Sequence, residues 1–393
     1  MTLRPNAIDL RVDALSPHTL LSHPAAALVD PDRQVAALRL VHWFLPGWFL
    51  AVLLPAFALA YYWRSGRAAA VRDSLRRRLR NENLVRFLFG ATIGLIVRLA
   101  ALLPSLYLYR VERAMSQSDQ LLRAWGADWL AVTLGWMVCV GLVTAVMLWL
   151  VDRTHQWYIY TILVIFVLSF GLTYLEPLGA PLFEHLVPMP PRTVAEVRRV
   201  ESVAHVGAPV VEQIRERSHV GTTYVAGLGG TERVVIGDVI VAVTGAQELE
   251  YVIARELGYI ANGSQWKIAL TDALLLIVGA AIAVFTADRV GFRRDDDPVS
   301  RFALVGAFFS VLYLVAVPVD YAIQRNLSRE ADSYALSLPI DRAAAVRNAI
   351  RATDESLTEV CPDIFARLFM ERFEDPSARV FAINGVPSTC PRE

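Results

Sequence analysis

The sequence predicts a mainly α, polytopic membrane protein with about six transmembrane helices and a polar domain that holds a small β-hairpin or sheet. Three observations predict it. The 393 residues are 55% hydrophobic and only 19% charged, with a mean hydropathy of +0.41, whereas soluble domains run about 45–50% apolar and about a quarter charged. Six apolar stretches are each long enough to cross the hydrocarbon layer at roughly 20 residues per helix. Tryptophan and tyrosine cluster near their ends (Trp43, Tyr61, Tyr62, Trp63, Tyr107, Tyr109, Trp129, Trp157, Tyr174), as the aromatic belt of a lipid interface requires.

Residues 1–41 read as an N-terminal extension. Met1 to Leu40 is studded with Pro, Asp and Arg, which is not the charged-then-apolar layout of a signal peptide, so it is expected to stay attached. Residues 42–175 hold four spans: His42 to Tyr62, Leu84 to Tyr109, Asp128 to Val151 and Trp157 to Leu175. A polar block, 176–267, follows. It opens with a connector rich in proline (Pro177, Pro181, Pro188, Pro190, Pro191) and continues with a charged stretch of helical character from Thr193 to Glu216. From Tyr224 to Val241, β-branched runs flank the glycine-rich Gly227 to Gly230, which reads as a hairpin. Positions 247–260 alternate at helical spacing. Residues 268–323 supply two more spans, Ile268 to Thr286 and Phe302 to Ile323, and 324–393 is a polar tail.

The net charge of zero argues against nucleic acid as a partner, because that affinity rests on a basic surface. Three cysteines (Cys139, Cys361, Cys390) are too few for a disulfide framework. Cys390-Pro-Arg-Glu places a cysteine four from the end, but Pro and Arg are not the aliphatic pair that prenylation expects. Seven arginines lie between Trp63 and Asn83, and with Arg153 and the 287–300 loop that side of the bundle carries eleven. The other side has four before His42 and three in the 110–127 loop, so the positive-inside rule puts the polar segments outside. The arginine loop reads equally as an amphipathic helix lying on lipid headgroups.

The chemistry concentrates in Glu250-Tyr-Val-Ile-Ala-Arg-Glu-Leu-Gly-Tyr-Ile-Ala-Asn-Gly. This segment resembles V-x-A-H-E-L-G-H, the zinc helix of the integral-membrane metallopeptidases of the CAAX prenyl endopeptidase type. In H-E-x-x-H, two histidines one turn apart bind zinc and the glutamate activates the metal-bound water. Three further segments are similar to that family in order. They are Ala180-Pro-Leu-Phe-Glu-His-Leu-Val-Pro-Met, the edge-strand region from Thr222 to Asp238, and Pro318 to Asp332. The six spans are one fewer than the family usually has.

What the resemblance implies for the site is a degenerate one. Of the zinc helix only the catalytic Glu256 is retained, with Arg255 and Tyr259 at the two histidine positions. The family's third ligand falls on Ser328, one turn before Asp332; Glu330 is the alternative carboxylate, but two residues along a helix turn it about 200° away. Thr223 stands for an asparagine and Asp375 for a histidine that helps stabilise the reacting group. Arginine has no lone pair to donate, and neutral tyrosine or serine is a poor zinc ligand. The histidines at 18, 23, 42, 155, 185, 205 and 219 offer no replacement spacing; His205 and His219 read as surface residues.

The expectation is therefore a metallopeptidase-like membrane protein that has lost its zinc ligands, needs no cofactor and works as an inactive binding or scaffold subunit. The competing expectation is a membrane metalloendopeptidase with zinc in an unorthodox site of Glu256, Glu330 and Asp332. Expected partners are the lipid bilayer and either a lipid or peptide in an intramembrane chamber or another membrane protein. The expected location is a bacterial cell membrane, crossed several times. Arg255 is expected to pair with Asp332 or Glu330 of the facing helix, because Glu256 is adjacent in sequence and points off at a different angle.

Overall fold

The structure is a computed structural model that describes residues 10–180, 185–214, 220–291, 297–387 and 390. Pro181 to Glu184 of the entry segment, the end of the charged stretch at Arg215-Glu216, and His219 lie outside the described residues.

Short helices α1 (Pro17–Ser22) and α2 (Ala25–Leu28) lead into α3 (Pro31–Arg64). The start of α3 is set by Asp30, whose carboxylate accepts the Asp32 N–H, with Pro31 in the first turn. Then come α4 (Arg67–Arg78), α5 (Glu82–Ala114), α6 (Leu122–Arg153) and α7 (Trp157–Gly179). The polar block contributes β1 (His185–Pro188), α8 (Val194–Ala204), β2 (Val210–Ile214), β3 (Thr223–Ala226), β4 (Arg233–Gly237), α9 (Asp238–Val243) and α10 (Ala246–Ala261). After it come α11 (Ser264–Gly291), α12 (Pro298–Ser337), α13 (Arg342–Ser356), α14 (Ile364–Phe369) and α15 (Pro376–Asn384).

Helices α3, α5, α6, α7, α11 and α12 are long and apolar enough to cross a bilayer. The protein is a multi-pass integral membrane protein. The helices outrun the expected spans: the 40 residues of α12 reach roughly 60 Å against about 30 Å of hydrocarbon. Its last third therefore leaves the apolar layer and enters the polar domain as one unbroken helix.

The expected hairpin is present, with β3 and β4 antiparallel from Thr223 opposite Ile236 to Ala226 opposite Arg233. It is part of a four-stranded mixed sheet, order β1-β2-β4-β3, in which β2 runs parallel to β4 and antiparallel to β1. Two local expectations are corrected. The charged stretch is not helical to Glu216: α8 stops at Ala204, His205 turns left-handed (φ 53°) and β2 begins at Val210. Gly207 and Pro209 interrupt the helical pattern, and the β-branched Val210-Val211 pair then favours a strand. Conversely, Val239 to Val241 sits in α9, opened by Asp238, whose carboxylate accepts the Val239 N–H.

The domain core gathers Val234 and Ile236 of β4, Tyr251, Ile253 and Leu257 of α10, Val346 and Ile350 of α13, and Val380 and Ile383 of α15. Leu10, Val12, Leu20 and Leu28 of the N-terminal arm are buried in the same core. Although the cysteines are too few for a framework, Cys361 and Cys390 are joined, with Cα atoms 5.6 Å apart. Cys139 is free, on α6.

Candidate functional site

Every residue of α10 from Glu248 to Tyr259 is buried, so its polar side chains must find partners inside the protein. Helix α12 passes close by. The crossing is possible because residue 258 is glycine: a Cβ there would lie 2.8 Å from the Ala331 carbonyl oxygen. Beside this contact Arg255, three residues before Gly258, meets Ser328 and Asp332 on α12, which are one turn apart.

Arg255 is 7% exposed, and its guanidinium donates in four directions. Its Nε bonds Asp332 Oδ1 at 2.8 Å, Nη1 bonds Glu256 Oε1 at 3.0 Å, and Nη2 bonds Tyr259 Oη at 3.1 Å and Ser328 Oγ at 2.8 Å. Its flat faces lie near the rings of Tyr259 and Phe373, at 5.2 and 5.6 Å. Asp332 also accepts from Tyr251 Oη at 2.7 Å and meets Arg379 of α15, with Nε 2.9 Å from Oδ2. Glu256 accepts a second bond from Thr223 Oγ1, at 2.8 Å. Four residues before Phe373, the Phe369 ring lies 5.6 Å from Trp48 and 4.9 Å from Phe49 on α3, so one short segment links the site to the membrane bundle.

Two guanidinium groups thus face two carboxylates in a buried cluster of no net charge. Burial pushes the Glu256 carboxyl upward, and Arg255 beside it only partly opposes this. Burial alone would lower Arg255, but Tyr259, Asp332 and Glu256 overcome it and hold the guanidinium well above its ordinary value. Burial is the largest influence on Arg379 and would lower it, but Asp332 and Tyr251 together outweigh it and Arg379 is likewise raised.

Of the positions singled out in the sequence, the fold brings Thr223, Arg255, Glu256, Tyr259, Ser328 and Asp332 together. Glu330 is elsewhere, on the outward side of α12, where it pairs with Lys267 at 2.7 Å. Asp375 precedes α15 without a side-chain capping bond and meets Arg367 at 3.4 Å instead of reaching Arg255. The expectation that Glu256 points away from Arg255 is corrected. The guanidinium is long enough to fork between its sequence neighbour and the facing helix. Sequence reasoning passed over Tyr251, Arg379 and Phe373. A signal for two of them existed: Tyr251 and Tyr259 stand four residues either side of Arg255, and Arg379 follows Asp375 by four.

The residues present do not fit a zinc ion. A metal needs converging lone pairs, whereas Arg255 fills the space between the carboxylates with a cation that only donates. Among the described residues, no three His, Cys, Asp or Glu side chains are grouped to hold a metal ion.

Residues 192–381 match the model of peptidase family M48. The chain carries an M48 peptidase domain. Everything from α8 to Arg379 falls within the match, so the whole cluster belongs to the M48 domain. The chain is similar to the uncharacterized metalloprotease YhfN of Bacillus subtilis, 23% identical over 315 residues that cover 73% of this chain and 72% of that protein. It is also similar to the crystal structure of S. mikatae Ste24p, with a TM-score of 0.62, 16% identity, and coverage of 92% of this chain and 100% of that one. It shares the Ste24p fold, spans included.

Proposed function

We propose that this membrane M48 protein is a pseudopeptidase, a homologue whose zinc site has become an ion-pair cluster and which serves as a binding or scaffold subunit. The observation that carries the reading is the Arg255 guanidinium lodged between Asp332 and Glu256. Arg255 and Arg379 together bring the two positive charges that a divalent ion would bring, and they hold the M48 carboxylates without a metal. Glu256, as a general base, would act on a metal-bound water; Arg255 stands where that metal would be, and one of the two Glu256 oxygens, Oε1, accepts from Arg255 and Thr223. An unorthodox metal site of Glu256, Glu330 and Asp332 is disfavoured by the same contacts, because Glu330 faces Lys267 and Asp332 is held by two arginines.

Elemental analysis of the purified protein, alongside a peptide-cleavage assay, tests the reading. No stoichiometric zinc and no cleavage are expected. The triple change Arg255→His, Tyr259→His and Ser328→Glu is expected to gain zinc, with the two histidines alone gaining less. Stoichiometric zinc in the unmodified protein, with cleavage lost in Glu256→Gln, refutes it. Lipid or a second protein that co-purifies distinguishes a binding role from a scaffold role.

A further inference from the structure

The two ends of the membrane bundle differ in a way that orients the molecule. On one side of the bundle the ends of α3, α5 and α7 meet the M48 domain. The Asp30 N–H before α3 bonds Asp354 at 3.1 Å, Gln117 after α5 bonds the Ser356 carbonyl at 2.9 Å, and Thr231 bonds the Tyr174 carbonyl near the end of α7 at 3.0 Å. At the opposite end the connections are short and basic. Helix α4 lies across that end, with Ala68 buried and Val71 and Leu75 packed on the bundle. Arg72 and Arg76 take up the nearby carboxylates Asp73, Glu82 and Asp297. Arg64, Arg67, Arg77, Arg78 and Arg80 are exposed, and among the described residues none of these five is in an ion pair. The result is an amphipathic helix with an apolar underside and exposed guanidinium groups at the level where headgroups sit, Arg67 lying over the Tyr61 ring at 5.5 Å and the others outside any ion pair among the described residues.

At the domain end a separate observation points the same way. The Cys361–Cys390 disulfide ties the chain after α13 to its last residues. Disulfides persist in oxidising compartments and are rare in the cytosol. The remaining cysteine, Cys139, is inside α6. Every thiol outside the spans is therefore oxidised and on the domain side, while the unpaired arginines are on the other. We infer that the α4 arginine face is a docking surface for anionic phospholipid headgroups of the cytoplasmic leaflet, and that the M48 domain consequently faces the oxidising, extracytoplasmic side. Arginine excess in short loops marks the cytoplasmic side, and polybasic juxtamembrane helices bind its acidic lipids. Whatever the M48 domain binds is then an exported molecule or an outer-leaflet lipid. The inference is independent of whether the domain cleaves peptides.

Three measurements on the full chain test it. In the Cys139→Ala background, a membrane-impermeant maleimide should modify Ser202→Cys in right-side-out vesicles, and Ala70→Cys only after permeabilisation; the reverse pattern overturns the orientation. In acid-quenched cells Cys361 and Cys390 should resist alkylation until reduced, and free thiols there overturn the compartment assignment. Native mass spectrometry of the detergent-solubilised protein should show a several-fold preference for phosphatidylglycerol over phosphatidylcholine, falling to parity in Arg77→Gln/Arg78→Gln/Arg80→Gln. Equal binding of both lipids by the unmodified protein, or an undiminished preference in the triple variant, overturns the lipid-docking surface.

Discussion

Replacing Arg255 by methionine keeps most of the side-chain volume and removes the charge, and the contacts indicate which partner then suffers. Asp332 keeps Tyr251 and Arg379, so it remains compensated. Glu256 keeps only the Thr223 hydroxyl and becomes the stranded group. Stranding one partner of a buried pair costs about 3–5 kcal/mol. The lower end applies, because burial already favours the protonated Glu256 and taking up a proton relieves the remaining charge. For a domain of 150–250 residues, ~3 kcal/mol lowers the melting midpoint by roughly 6–12 °C. A thermal melt in detergent, followed by intrinsic fluorescence, reads the shift. Arg255→Met/Glu256→Gln leaves the Arg379–Asp332 pair as a neutral unit and should recover half or more of the loss. Asp332→Asn, which leaves two guanidinium groups and one carboxylate, should fall at least as far as Arg255→Met. An unchanged midpoint for Arg255→Met, or a double variant no more stable than the single, would refute the charge-compensation argument.

Gly258→Ala should destabilise by about 1–3 kcal/mol in the same melt, because the atom it meets is the Ala331 backbone carbonyl and cannot rotate aside; a neutral or stabilising result would mean that α10 and α12 are not in close contact. Burial raises the carboxyls of Asp354 and Glu355 to about 7, so in the folded protein both are protonated below that pH. Their contribution is complete below the ordinary carboxylate range and is lost as pH rises through about 7, by as much as about 3 kcal/mol for Glu355. The domain should therefore melt higher at about pH 5 than at about pH 8. Glu355→Gln should narrow that gap by raising the alkaline midpoint, and an unaltered gap would contradict the assignment.

The spans and α10 were legible because hydropathy and helical period are properties of a single segment. The hairpin was legible for the same reason, since β3 and β4 are local neighbours. Strand β2 was not, because its partners β1 and β4 come from elsewhere in the chain and its sequence, Val-Val-Glu-Gln-Ile, follows a helical stretch without a sharp change in composition. A drop in hydropathy marks where α12 leaves the lipid, yet says nothing about where the helix ends, so Ser328 and Asp332 were assigned to a tail when they are on a span's extension. The pairing of Cys361 with Cys390 depends on proximity across 29 residues, which composition cannot supply. Asp332 was readable as a partner of Arg255 from spacing along a resembling helix. Arg379 was not, since nothing local announces which distant cation will balance a buried carboxylate.

The site's parts are spread over a long stretch of chain, and this imposes an order on biosynthesis. Arg255 and Glu256 are made first, but Asp332 lies 77 residues later and Arg379 a further 47. Between them the ribosome must deliver α11 and α12, and both must enter the bilayer before Asp332 can reach α10. Until then the apolar side of α10 lacks α13 and α15 to cover it, and its charges stay hydrated. Loop closure across such distances is slow, so until α15 is made the domain keeps apolar surface uncovered. A chain that ends before Pro376 would lack Arg379, Val380 and Ile383 and could not complete either the cluster or the core. The arrival of α15 thus marks the point at which the cluster and the core can close.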